Sequence, residues 1–279
     1  MISRLLVVSG AGSYPRLVVE GTKRAGVETV DVLAVKGSCV RATRKAADAV
    51  VSFAAGESDK AAAWAGQHGY DGVILAGQVS PLSLFRGRFD ETVRGWLKAM
   101  PVKNAHTIFG KLVAEFERCG AKVLPASLYM DEAMPGVGLL TDRPLTASER
   151  SDIEHARNVV QDIGVHDVGQ TVMVKDGMVL AVEAFEGTNA AIRRGGRLGG
   201  GSGVVFKAAR EGHDFRFDIP VVGLKTLKVM KRAGATALAF QAGRLILLDR
   251  AKVVAYANRH GIAIVGIDSG LPSAPLRPE

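Results

Sequence analysis

The sequence predicts an α/β protein of two domains. The N-terminal domain is expected to be Rossmann-like, because short apolar runs alternate with stretches of helical spacing, which implies a parallel sheet with helices on both faces. The C-terminal domain is expected to be α+β with a mixed or antiparallel sheet, because apolar runs there flank turn signals. We place the domains at 1–135 and 146–279, joined by a Pro- and Gly-containing linker at 136–145.

The first half supplies its elements in alternation. "RLLVVSG", "VDVLAV" and "GVILAG" have the composition of buried strands. "PRLVVEGTKRAG" and "SDKAAAWAGQHG" have helical spacing and end at Gly26 and Gly69, which suit helix C-caps. "NAHTIFGKLVAEFERCG" predicts another helix, and "AKVLP" a short strand after it.

The second half begins with a capping box, since Thr146 is followed three residues later by Glu149. Apolar residues at helical spacing then predict a helix that closes at Gly164. "TVMVKDGMVLAVE" predicts a hairpin that turns at Asp176-Gly177. "TALAFQAGRLILLD" predicts a second hairpin, "RAKVVAYANRHG" a helix and "IAIVGI" a last strand.

The amino-acid composition limits the classes of binding partner that are expected. The net charge is +8, from 36 Lys and Arg against 28 Asp and Glu, which favours anionic partners or simply solubility. There is no long basic run with interleaved aromatics, so nucleic acid is not expected as a partner. Cys39 and Cys119 form no CxxC pair, which is typical of reduced thiols in a cytoplasmic protein. No apolar stretch is long enough to cross a bilayer, although peripheral contact with a membrane stays open.

The stretch "SGAGSYP" contains half of a dinucleotide fingerprint, since Gly10 and Gly12 are present but Pro15 replaces the third glycine. Lys36 stands near the end of the second strand, where a ribose-binding carboxylate is expected, so an NAD enzyme is disfavoured. The loop could hold a phosphate or a nucleobase, or be a tight turn without a ligand. The substrate-binding residues assigned to this domain are Gly10, Gly12, Ser13, Pro15 and Gln78.

The Asp176-Gly177 turn suggests a register for the hairpin. Counting outward from Lys175 and Met178 pairs Gln170 with Glu183, unless a bulge intervenes. An amide and a carboxylate would then lie side by side at the open end, and both are assigned as catalytic.

More charged groups follow this hairpin. "HDFRFDIPVVG" predicts a strand with Asp214, Arg216 and Asp218 on one face. Carboxylate oxygens suit a hard cation such as Mg²⁺ or Mn²⁺. The assigned metal ligands are Asp218, Glu183, Glu186 and Asp214, and the assigned substrate contacts are Thr188, Asn189, Arg193, Arg194 and Lys207. A structural ion-pair network among the same residues is an equally simple interpretation.

Several segments resemble the LpxI family, the UDP-2,3-diacylglucosamine pyrophosphatases of lipid A biosynthesis. They are "SGAGSYP", "LAGQV", "DVGQTVMVKDGMVLAVEAFEGTNAAIRR", "FRFDIPVVG" and "AFQAGRLILLDR", which together span nearly the whole chain. The resemblance implies magnesium-dependent hydrolysis of UDP-2,3-diacylglucosamine to UMP and 2,3-diacylglucosamine 1-phosphate, with the lipid bound between two domains. It also implies that Asp218, which matches the family's "RFDLP" motif, is a catalytic residue.

The chain departs from the family pattern at two places. Asn189 and Ala191 stand where the family reads "EGTDAM", and "KNAH" at 103–106 replaces a "KGDD"-like stretch. Two alternatives therefore stay open: another nucleotide-sugar hydrolase, and a catalytically weakened lipid-binding paralogue. The expected partners are the UDP-linked diacylglucosamine lipid, the inner-membrane surface through peripheral and transient contact, and a second copy of the chain in a homodimer.

Overall fold

The computed structural model confirms an α/β chain with two compact units. It describes residues 2–54, 56–78, 94–95, 98–100, 105–271 and 273–275. The first unit comprises Met1–Met130, Asp214–Asp218 and Pro275–Glu279, and the second comprises Asp131–His213 and Ile219–Ala274. The predicted C-terminal domain includes residues 214–218, whereas their contacts group them with the first unit.

The first unit has a five-stranded parallel sheet in the order β3-β2-β1-β4-β5. Its strands are β1 (Arg4–Ser9), β2 (Thr29–Val35), β3 (Val50–Phe53), β4 (Gly72–Ala76) and β5 (Val123–Leu124). Its described helices are α1 (Tyr14–Arg24), α2 (Arg41–Ala46), α3 (Ser58–Gln67) and α4 (Ala105–Arg118). Leu6 packs with α3 and α4, while its neighbours Leu5 and Val7 are also fully buried, so both faces of the sheet are covered.

The second unit has a six-stranded mixed sheet in the order β6-β13-β11-β9-β7-β8. Its strands are β6 (Gly138–Leu139), β7 (Thr171–Lys175), β8 (Met178–Val182), β9 (Val204–Lys207), β11 (Ala237–Gln241) and β13 (Ala263–Ile267). The strands β9, β11 and β13 are parallel, and β6 and β7 run antiparallel to their neighbours. A separate parallel pair is formed by β10 (Val221–Val222) and β12 (Ile246–Leu247). Residues 136–145, predicted as a linker, thus contribute the edge strand β6.

Helices cover both faces of this second sheet. The helices are α5 (Ala147–Val165), α6 (Thr188–Leu198), α7 (Leu224–Ala233) and α8 (Arg250–Arg259). On one face α5 packs against side chains such as Val172 and Phe206. On the other face α6, α7 and α8 pack against side chains such as Met173 and Phe240. The alternation of Val172 and Met173 between the two faces is the period of two that a strand imposes.

The predicted capping box of α5 is confirmed. Thr146 Oγ1 accepts from the Glu149 amide at 3.1 Å, and Glu149 Oε2 accepts from the Thr146 amide at 2.8 Å. Burial alone would raise the pKa of Glu149, but its bonds to Arg143 and to the Thr146 amide lower it to about 2. This carboxylate therefore ties the start of α5 to Arg143 over the whole neutral range.

The predicted hairpin turning at Gly243 is wrong. Strand β11 pairs in parallel with β9 on one side and with β13 on the other. Both of its hydrogen-bonding edges are occupied, so the chain after Gly243 cannot return beside it. It pairs with β10 instead, as strand β12.

The predicted strand over Asp214–Asp218 is also wrong, because these residues form a turn. The Asp214 carboxylate accepts from the Arg216 amide at 3.0 Å, and the Asp214 carbonyl accepts from the Asp218 amide at 3.2 Å. An aspartate that bonds its own backbone two residues on competes with strand pairing. The Arg216 guanidinium then bridges Asp214 at 2.8 Å and Glu117 at 2.9 Å.

Two loops of the first unit join at the carboxyl ends of β1 and β4. The Ala11 amide donates to the Gln78 carbonyl at 2.9 Å, and the Gln78 amide returns the bond at 2.9 Å. A Cβ at Gly77 would lie 2.8 Å from both the Ala11 carbonyl oxygen and Pro15 Cγ. Close approach of the two loops therefore depends on the missing side chain at Gly77.

Along the described chain, no helix combines the length and apolar character that crossing a bilayer requires.

We predict that Gly77→Ala destabilises the protein more than Gly12→Ala. Both glycines have φ +96, so both alanines would carry a similar backbone strain of about 1–2 kcal/mol. Only the alanine at Gly77 also collides with the neighbouring loop, since nothing lies within 4 Å of a Cβ at Gly12. Thermal melts should show the lower melting temperature for Gly77→Ala. Equal melting temperatures would contradict the packing of these loops.

Candidate functional site

Polar side chains collect at one edge of the second sheet. Strands β9 and β11 are parallel and end at Lys207 and Gln241. Strand β7 runs antiparallel to β9 and begins at Thr171, directly opposite Lys207. Glu183 follows the last residue of β8 and therefore reaches the same edge. Ligand sites of α/β sheets are typically found at the carboxyl ends of the parallel strands.

Lys207 is the buried cation of this edge, with 4% of its surface exposed. Its ammonium donates to Thr171 Oγ1 at 3.1 Å and to Thr188 Oγ1 at 2.9 Å. The same Nζ lies 3.6 Å from Glu183 Oε2, which completes an ion pair. A buried charge needs an opposite charge and hydrogen bonds, and Lys207 has both.

Glu183 offers one bonded and one unbonded carboxylate oxygen. Oε1 accepts from the Thr188 hydroxyl at 2.8 Å. Oε2 is buried and has no hydrogen-bond partner among the residues that the structure describes. Burial by itself raises the pKa of Glu183, but the charge of Lys207 and the hydroxyls of Thr171 and Thr188 outweigh it and lower the pKa. The carboxylate is therefore ionised at neutral pH.

The start of α6 places Thr188 in this cluster. Gly187 precedes the helix with φ +80 and ψ 159, a conformation that residues with a Cβ avoid. The Ala191 amide donates to the Gly187 carbonyl at 3.1 Å, which begins the helix. We call the set of Thr171, Glu183, Thr188 and Lys207 the buried cluster.

The predicted pairing of Gln170 with Glu183 is wrong. The hairpin pairs Lys175 with Met178 as expected, but the register shifts between Met173 and Val174. The Glu183 amide consequently donates to the Thr171 carbonyl at 2.8 Å, and Thr171 takes the place assigned to Gln170. The carbonyl of Gln170 accepts from the Ala208 amide instead.

Thr171 is therefore a residue of this edge that is absent from the predicted site residues. A signal was present, because Lys207 ends the apolar run "VVFK" and a lysine on a buried strand requires acceptors.

The predicted four-carboxylate metal centre is not formed within either unit. Glu183 and Glu186 belong to the second unit, whereas Asp214 and Asp218 belong to the first. Lys207 pairs with Glu183, Arg194 with Glu186 and Arg216 with Asp214. Throughout the described ranges, no group of three or more His, Cys, Asp or Glu side chains is arranged to hold a metal ion. These pairings fit the ion-pair interpretation of the same residues.

The three residues of the predicted anion clamp, Arg193, Arg194 and Lys207, have different surroundings. Arg194 donates to Glu186 Oε1 at 2.5 Å and to the Val182 carbonyl at 2.8 Å, so it holds the segment between β8 and α6. Arg193 is exposed on α6, while Lys207 is buried in the cluster. Asn189 lies in the first turn of α6, and its buried Oδ1 has no hydrogen-bond partner in the described part of the chain.

The glycine loop of the first unit combines exposed residues with a buried proline. Gly12 is exposed, and the Ser13 side chain makes no capping bond to α1. Gln78 is exposed as well. Pro15 is buried in the first turn of α1 against Gly77, so it packs the loop and is not available to a ligand. The sequence differs from the family pattern at 103–106, and residues 103 and 104 of this stretch lie outside the described residues.

Comparison with known proteins covers both units. Residues 4–133 match the LpxI N-terminal domain, and residues 136–265 match the LpxI C-terminal domain. The chain is also 34% identical over 217 residues to the protein named UDP-2,3-diacylglucosamine pyrophosphatase LpxI from Caulobacter vibrioides. That alignment covers 72% of this chain and 75% of the relative.

We predict that Glu183→Gln and Lys207→Met each destabilise the protein by about 3 kcal/mol, because each leaves the other charge buried without its partner. The double variant should lose clearly less than the sum of the two. Denaturant unfolding of the four proteins measures this coupling, and simple additivity would contradict it.

The same cycle has a pH dependence. The folded-state pKa of Glu183 lies below its ordinary value of 4.5. The stability that its charge provides is thus fully present above about pH 4.5 and is lost as the pH falls through the folded pKa. The stability gap between the wild type and Glu183→Gln should therefore stay constant down to that pH and shrink below it. A gap that already shrinks between pH 7 and 6 would contradict a lowered pKa.

Proposed function

The chain belongs to the LpxI family, and from that premise we propose that it hydrolyses the pyrophosphate bond of UDP-2,3-diacylglucosamine. The products would be UMP and 2,3-diacylglucosamine 1-phosphate. The observation that carries the proposal is the 34% identity to a protein named for this activity, over three quarters of that protein's length.

The buried cluster supplies what such a hydrolysis needs beside the phosphates. Water must be held in line with a phosphorus atom, and the negative charge of the substrate must be tolerated. Glu183 Oε2 is buried beside the Lys207 ammonium and has no hydrogen-bond partner in the described residues, so a water molecule that enters this edge of the sheet would find an acceptor there. A carboxylate with a lowered pKa is a weak proton acceptor at neutral pH, so we assign Glu183 to orienting the water more than to deprotonating it.

Lys207 acts through Glu183 in this proposal. Lys207 is buried and its ammonium already donates to two threonine hydroxyls, so it fixes the carboxylate and the Thr188 hydroxyl. It is therefore a positioning residue, and its sequence-based assignment as a direct substrate contact is replaced. Thr188 and Asn189 lie in the first turn of α6, where backbone amides and the helix dipole favour an anionic group.

Asp218 is proposed as the catalytic aspartate because it matches the "RFDLP" motif of the family. It lies at the end of the turn that begins at Asp214. In the first unit, Gly10, Gly12, Ser13 and Gln78 remain proposed contacts for the nucleotide part of the substrate.

Magnesium or manganese remains a proposed cofactor. Neither unit holds a ready-made carboxylate cluster for it in the described residues. Mg²⁺, however, is commonly bound through substrate phosphates, several waters and only one or two carboxylates. A pyrophosphate substrate supplies such oxygens itself, and Asp218 is the residue that we propose as the protein ligand.

Homodimer formation and a cytoplasmic location stay predictions from the sequence.

We predict that Asp218→Asn lowers UMP release by at least about 100-fold, the usual scale for losing one catalytic group. Its melting temperature should stay close to that of the wild type. Asp162→Asn is the matched control, since Asp162 is an exposed aspartate of α5. UMP release by Asp218→Asn at the rate of the control would reject the role of Asp218. Release of a different nucleotide from a panel of nucleotide sugars would reject the proposed substrate.

We predict that hydrolysis stops after exhaustive chelation and returns on adding Mg²⁺ or Mn²⁺. Calcium, which prefers more ligands at longer distances, should restore less activity. A chelated protein that keeps full turnover would contradict the proposed cofactor, while leaving the substrate assignment intact.

A further inference from the structure

Three helices of the second unit form one layer that carries only positive charge. Helices α6, α7 and α8 cover the same face of the six-stranded sheet. They contain three, four and three Lys or Arg residues, respectively, and no Asp or Glu. We call the outer side of this layer the basic face.

The cations of the basic face point away from the sheet. On α7, Lys225, Lys228 and Lys231 are exposed at spacings of three, while Leu227 and Met230 are fully buried. On the neighbouring helix α6, Arg193 and Arg197 are exposed one turn apart. A stripe of lysines on one helix is usually only a solvated face, but here it continues onto the adjacent helices.

The opposite side of the sheet has a different character. Helix α5, which covers that side, has four carboxylates and two arginines. The positive charge of the second unit is therefore concentrated on one layer and is not a uniform consequence of the net charge of +8. Among the cations of these helices in the described residues, Arg194 pairs with Glu186 at 2.5 Å, and Lys252 Nζ lies 3.8 Å from Asp249.

Apolar side chains accompany these charges at the ends of α6. Leu198 is 67% exposed beside Arg197 at the end of the helix, and Phe185 is 70% exposed shortly before its start. Exposed apolar residues next to lysines and arginines are typical of surfaces that insert into the headgroup region of a bilayer.

We propose that the basic face docks on a bilayer that contains anionic phospholipids. The inference rests on the proposed function, because a substrate with two acyl chains resides in a membrane and has to be reached there. Charge complementarity selects the surface, since an anionic bilayer attracts each nearby basic residue by about 1 kcal/mol, which is roughly a fivefold gain in partitioning. Nucleic acid is the other polyanion, but Phe185 is the one exposed aromatic side chain named on this surface, and the stripe of α7 has none on which successive bases could stack.

The test compares two triple variants of the full chain. One is Lys225→Gln, Lys228→Gln and Lys231→Gln, which neutralises the exposed stripe of α7. The matched control is Arg41→Gln, Lys45→Gln and Lys122→Gln, which removes the same charge from exposed positions of the first unit. Circular dichroism melts confirm that both fold. Vesicle co-sedimentation compares phosphatidylcholine alone with phosphatidylcholine that contains about one third phosphatidylglycerol. The anionic lipid gives the second type of vesicle a strong negative surface potential.

We expect the wild type and the control to bind the anionic vesicles, and to release them at about 0.5 M salt because the charges are screened. The α7 variant should bind at least about tenfold more weakly. UMP release from substrate in neutral detergent micelles should be the same for all three proteins, whereas release from anionic vesicles should fall for the α7 variant. Equal vesicle binding by the α7 variant and the control would overturn the proposal, as would tighter binding of the wild type to nucleic acid than to the vesicles. Hydrolysis in micelles separates this outcome from a failure of the proposed function.

Discussion

The burial of one ammonium group organises the second unit. Lys207 ends a strand in the middle of the six-stranded sheet, where an unpaired charge would be strongly unfavourable. The buried ammonium requires hydrogen-bond acceptors and an opposite charge. They are provided by a threonine opposite on β7, a hydroxyl at the start of α6 and a carboxylate after β8. Gly187 completes the arrangement, because its positive φ lets the chain turn from Glu183 into α6 within a few residues. The strand ends, the bulge and the helix start are thus coupled through this cluster.

Burying such a pair is a weak way to stabilise a fold, since apolar residues of the same size often serve as well or better. The role of this ion pair is to orient the Glu183 carboxylate. The Thr188 hydroxyl donates to Glu183 Oε1 and accepts from the Lys207 ammonium. The ionised carboxylate of Glu183 is thereby fixed, and its Oε2 has no hydrogen-bond partner in the described structure. This is the preorganisation that a hydrolytic site requires, because a charge that is already oriented needs no rearrangement during the reaction. The proposed substrate joins an anionic pyrophosphate to acyl chains, and the proposed docking of the basic face would bring the protein to the membrane where such a lipid resides.

Much of the fold was predictable because local signals and tertiary structure agree. The alternating strands and helices of the first unit, the capping box at Thr146 and the turn at Asp176-Gly177 are each set by short-range chemistry. The errors arose where distant partners decide. The run after Gly243 looks like a returning strand, but β11 already has neighbours on both edges.

Around the site, two local features could not be predicted from the sequence: the bulge in the β7–β8 hairpin and the turn at residues 214–218. Alternating charges at 214–218 look like a strand face until the Asp214 side chain bonds the backbone amide of Arg216. The bulge shifts the hairpin by one residue and exchanges Gln170 for Thr171, which no count outward from the turn can foresee. The carboxylate at Glu183 was found correctly as a feature of this edge, whereas its cationic partner was assigned to the substrate. The sequence shows that both charges exist, and only the sheet order shows that they face each other.

The most direct test of this account is the turnover of the double variant Glu183→Gln and Lys207→Met, measured as UMP release from UDP-2,3-diacylglucosamine. The double variant removes both charges together, so neither is left buried alone and the protein should stay folded. If the cluster exists to hold an ionised carboxylate for the reaction, turnover should fall by at least about 100-fold in this folded protein. A folded double variant with turnover near the wild type would show that the pair serves only the fold, and would contradict the account.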